Sequence, residues 1–265
     1  MITFRNVSIL LGAAFLCLSC SDDNEEDQFG NVQLNFEHRV DGSLLELNSM
    51  DYINAAGNEF EITEIQWFVS DLTLNKADGS SLLLGGGDFS HYIDTNLPET
   101  SDWSLQDDIP AGEFSSISIT FGLKGEKNLP NQFTNLPESA MEWPFTMGGE
   151  NGGYHYMKMN GFWMDLNAER TPFNFHMGVG EIEDTEGNSE YIQNWFEVEL
   201  TDEDFMIKSD QVTQIKLIMN IENWFKNPNV YDHNVYGGKI MKNQGAMKAA
   251  CDNAEVDVFS IEVQD

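Results

Sequence analysis

Apolar residues in this chain recur mostly at every second position, the period of a half-buried β-strand. Val32, Leu34 and Phe36 alternate with polar neighbours, and His38 continues their face. Residues 60–74 form a long aromatic and β-branched run; Ile117, Ile119 and Phe121 alternate, as do His155, Met157 and Met159. Residues 195–200, 215–221 and 256–263 read the same way. Turn signals separate these segments: Asp41-Gly42, Asp78-Gly79, Gly85-Gly86-Gly87, Asn151-Gly152-Gly153 and Gly237-Gly238. Only residues 240–250 read as helix, with Ile240, Met247 and Cys251 roughly on one side. Short strands punctuated by turns predict an all-β fold, a β-sandwich with long decorated loops and one short C-terminal helix. No internal repeat or dividing linker interrupts residues 31–265, which read as one domain.

The first nineteen residues stand outside that pattern. Arg5 precedes an apolar stretch over residues 9–18 that is too short to span a bilayer, as in a signal peptide. It ends in Cys17-Leu18-Ser19-Cys20, which resembles a bacterial lipoprotein processing site with Cys20 as the lipidated residue. Residues 20–30 then read as the lipidated cysteine and an acidic tether. A serine and acids directly after such a cysteine resemble the surface-export signal of Bacteroidetes lipoproteins. The expected address is the outer membrane, exposed at the cell surface and held by a lipid anchor.

Charge narrows the partners further. All 45 acidic residues lie beyond residue 21, against 12 bases. A chain this acidic is repelled by nucleic acid and by anionic membrane surfaces. With Cys20 lipidated, Cys251 has no partner and there is no disulfide framework. The chain is expected to be monomeric. GxSxG, phosphate-loop, HExxH and CxxCH signatures are all missing, so the chain is read as a binding protein rather than an enzyme.

Candidate chemistry is concentrated in residues 141–178, which hold two of the five histidines and six of the twelve methionines. Imidazole and thioether both suit copper. Methionines on a sheet face are more often core filler, so the histidines carry the signal. His155 opens a strand on the face of Met157 and Met159, and His176 closes one before a turn. His38 and His91 lie at strand ends, and His233 in an Asn/Asp-rich loop.

Several segments, in order, resemble the MbnP-like copper-binding proteins in the form carried by Bacteroidetes lipoproteins. They include Phe36-Glu37-His38-Arg39-Val40-Asp41-Gly42, Trp67-Phe68-Val69-Ser70-Asp71-Leu72, Met141-Glu142-Trp143, Gly153-Tyr154-His155 and Phe175-His176-Met177-Gly178. The resemblance implies an extracytoplasmic β-sandwich that binds copper through histidines, with a tryptophan oxidised by a dihaem peroxidase-like redox partner. Carried over by motif, His155 and His176 are the first ligand candidates, followed by His38 and His91. Trp143 is the tryptophan that would be modified or flank the metal. Pro144 and the glycine-rich residues 147–153 lengthen the interval between Trp143 and His155.

The contrasting expectation is a metal-free cell-surface scaffold whose Trp103, Trp163 and Trp224 line a glycan or protein contact. Acidic loops could add a structural Ca²⁺, with Asp184, Glu186 and Asn188 as the candidate oxygens.

Overall fold

The computed structural model describes residues 28–87, 90–105, 108–201 and 204–264; the signal segment, Cys20 and most of the acidic tether lie outside them. Its main strands are β1 (Phe29–Val40), β2 (Glu59–Asn75), β3 (Ser90–Asp94), β4 (Ser116–Phe121) and β5 (Met157–Met164). They continue with β6 (Arg170–Met177), β7 (Phe196–Leu200), β8 (Val212–Asn220) and β9 (Phe259–Gln264). β1 begins within the segment read as tether.

One sheet is built around β1, which pairs in parallel with β8, itself antiparallel to β9. The other runs β6-β5-β2-β4-β7, with β3 on the remaining edge of β2. Their inner faces meet in an aromatic core, as expected for a β-sandwich. Trp67 packs edge-on against Phe36 at 5.8 Å and lies 5.5 Å from Phe259, while Phe121 lies 5.3 Å from Trp224. Met157 and Met159 are fully buried opposite Met177 and Phe175, so these thioethers are core filler.

The outer face of the second sheet is covered by residues 122–156. Phe68, opposite in facing to Trp67 along β2, stacks on Phe133 at 5.3 Å, and Phe133 meets Tyr154 at 4.9 Å. This cover is built by the chain that immediately precedes β5, and it creates a second buried layer outside the sandwich.

Two local expectations shift. The helix, α1, spans Gln244–Asn253 because the Asn243 side chain caps it, accepting from the Ala246 amide at 3.0 Å. Ile240 precedes it, buried in the core. A π-helical turn over Ala254–Val258 follows, so residues 256–258 are not strand and β9 starts at Phe259.

Candidate metal centre

His155 and His176 come together on the covered outer face. In the β5–β6 register Lys158 faces His176, while Met157 faces Met177. His176 therefore points away from the buried methionines. His155 does so as well, which corrects the alternation read from sequence. It precedes β5 and belongs to the cover, where its amide donates to Met141 O at 2.7 Å. The two imidazole centroids stand 5.2 Å apart and nearly perpendicular.

The same turn of chain delivers Trp143. Its amide donates to Gly153 O at 2.8 Å, and Glu142 bridges Tyr154, so residues 141–143 and 153–155 run as an antiparallel pair. The interval between them folds into a loop that opens with a short helix, Phe145–Gly148, directly after Pro144. The long spacing in sequence is thus closed in space, with the Trp143 ring 4.7 Å from His155. Gly178 makes room for the indole: a Cβ there would fall 2.4 Å from Trp143 Cζ3.

Hydrogen bonds fix what each imidazole presents. His155 Nδ1 lies 2.8 Å from Met141 O, and a carbonyl only accepts. Nδ1 therefore carries the proton, and Nε2 keeps its lone pair. His176 Nε2 lies 2.8 Å from Asn160 Oδ1. The Asn160 amide is oriented by its own Nδ2, which donates to Glu64 Oε2 at 2.9 Å. His176 Nε2 is accordingly the donor, leaving Nδ1 with its lone pair. That Nδ1 is buried without a partner, as is Trp143 Nε1. A histidine that donates one N–H to a carbonyl or amide oxygen while leaving the other nitrogen bare has the arrangement of a metal ligand.

Burial holds both groups neutral. It lowers the His155 pKa to about 3 and that of His176 to about 4, with the nearby Lys158 ammonium adding to each shift. Both are therefore free of proton competition at neutral pH. Two imidazoles fit a soft cation of low coordination number such as Cu(I) better than Zn²⁺, which usually takes four protein ligands in structural sites. Among the described residues, no group of three or more His, Cys, Asp or Glu side chains could hold a metal ion.

The remaining candidates lie elsewhere. His38 is half-buried on the inner side of β2, where its Nε2 accepts from Trp67 Nε1 at 3.1 Å. His91 stacks between Phe36 and Trp103, 5.2 Å from each, and its Nε2 bonds Thr100 O at 2.8 Å. Neither is brought to the His155–His176 pair. His233 is buried between Phe173 and Trp163, with both ring nitrogens unpartnered. Asp184 spends its oxygens on its own turn, accepting from the Glu186 and Asn188 amides and from Asn188 Nδ2. Trp163 and Trp224 are buried and cannot line an exposed contact; Trp103 is half-buried against His91. Asn160, Glu64 and Lys158, which orient and polarise the pair, had no signal in the sequence beyond their place on a strand.

The fold and site define a class: a β-sandwich with a neutral imidazole pair and a tryptophan under a loop cover. Residues 29–242 match the MbnP family, and the chain belongs to that family, which is associated with copper. MbnP from Methylosinus trichosporium has the same fold, with a TM-score of 0.55 at 12% sequence identity. The match covers 89% of this chain and 99% of that one. No curated protein matches the chain.

Proposed function

We propose that this protein is a surface-anchored lipoprotein that binds copper through His155 and His176, as a scavenger or store rather than a catalyst. The observation that carries this reading is the pair itself: a buried and a half-buried neutral imidazole 5.2 Å apart, each with one nitrogen engaged by an oxygen. Bound copper would be held by His155 Nε2 and His176 Nδ1, where the metal would supply redox chemistry. Met141 O and Asn160 orient the ligands, and the cover buries His155 and the Nδ1 of His176. Trp143 flanks the site with an unpartnered N–H and is the tryptophan open to oxidation by a dihaem peroxidase-like partner. Cys20 would carry the lipid that holds the domain to the outer membrane.

Titration against a Cu(I)-chelating indicator tests this. The wild-type protein should take up about one equivalent, and His155→Ala or His176→Ala should each weaken binding at least about tenfold. Stoichiometric uptake that survives both substitutions together contradicts the assignment. Intact mass of protein from its native envelope checks Trp143: oxidation adds mass to the wild type and none to Trp143→Phe.

A further inference from the structure

The imidazole pair has a cation built into its support. Lys158 sits opposite His176 in the β5–β6 register. Its Nζ donates to Ala140 O at 2.6 Å, one residue from Met141, whose carbonyl holds His155. The ammonium is thereby fastened to both halves of the site. It is half-buried, and among the described residues no carboxylate forms an ion pair with it. Glu64, whose field it feels, spends its oxygens on Asn160 and Asn96.

Lys158 shares the covered outer face with the imidazole pair, and its ammonium is fixed on the carbonyl next to the one that holds His155. A positive charge held there repels a metal ion at the pair. Neutral imidazoles contribute no negative charge, and among the described residues no carboxylate or thiolate group joins them to offset a second positive charge.

We propose that Lys158 is a charge filter that makes the His155–His176 site select monovalent over divalent cations. The inference rests on the copper reading of that site. Coulomb repulsion scales with the charge of the ion, so a divalent cation is disfavoured by twice the free energy of a monovalent one. If removing the ammonium raises monovalent affinity by some factor, divalent affinity should rise by the square of that factor. A purely structural role would not follow that rule.

The test uses Ag(I), an air-stable monovalent probe, and Zn(II), in equilibrium dialysis with the full-length protein in detergent at one pH and ionic strength. Lys158→Leu, which removes the charge and adds no ligand, should tighten Ag(I) about threefold and Zn(II) about tenfold. Lys158→Gln, which keeps a donor toward Ala140, should show the same shift in ratio, and Lys158→Arg should retain the wild-type ratio. Equal changes for the two ions, no change, or an Arg variant that behaves like Leu overturns the filter and leaves the copper reading standing. Ag(I) binding that is absent from the wild type, or that survives His155→Ala with His176→Ala, overturns both.

Discussion

At the scale of the residue, a histidine becomes a ligand through what its other nitrogen does. His176 was marked by its motif and His155 by its position at a strand start, but the bonds that free one nitrogen on each come from Asn160 and Met141. Neither of those was legible, because a side-chain amide on the outer face of a strand and a backbone carbonyl carry no distinguishing pattern. Asn160→Ala should therefore weaken copper binding about 10- to 100-fold while leaving His176 in place, a difference that chelator competition will measure. Gly178 has the opposite character, a position set by close approach alone. Gly178→Ala should push against the Trp143 ring and cost about 1–3 kcal/mol in urea unfolding, with Gly178→Ser worse.

Among the elements, alternation identified the strands well where one face meets the core. Val32, Leu34 and Phe36, and Met157 and Met159, are buried as their spacing implies. It failed where an element ends. His155 leaves the face of the methionines because the chain is already pairing with residues 141–143 rather than continuing β5. The helix moved because its start is set by a cap rather than by apolar period. Asn243→Ala removes that cap and should lower stability by about 1 kcal/mol, with the loss visible in thermal unfolding. The parallel pairing of β1 with β8 joins the two ends of the domain, and nothing local to either strand announces it. Nothing local marks residues 122–156 as a cover either, since their burial depends on a sheet face formed by distant strands.

For the whole molecule, buried neutral histidines make stability depend on pH. Burial lowers His233 from its ordinary value near 6.5 to about 4, even though Asp232 pulls the other way. Between those values the unfolded chain binds a proton that the folded chain refuses, so stability is complete above about pH 6.5 and falls as pH drops toward 4. For His233 alone the loss approaches about 3 kcal/mol. Urea unfolding at pH 4.5 and pH 7 should show it, and His233→Phe, which preserves the stack between Phe173 and Trp163, should flatten the dependence. An unchanged slope in that variant would place the acid sensitivity in other groups.

The central claim is that two imidazoles, and none of the neighbouring thioethers, hold copper in this fold. X-ray absorption at the copper edge of the loaded full-length protein tests it most directly. The account predicts a first shell of nitrogen with the outer-shell pattern of imidazole, lost in the His155→Ala, His176→Ala double variant; a first shell of sulfur, or a spectrum the double variant leaves unchanged, would contradict it.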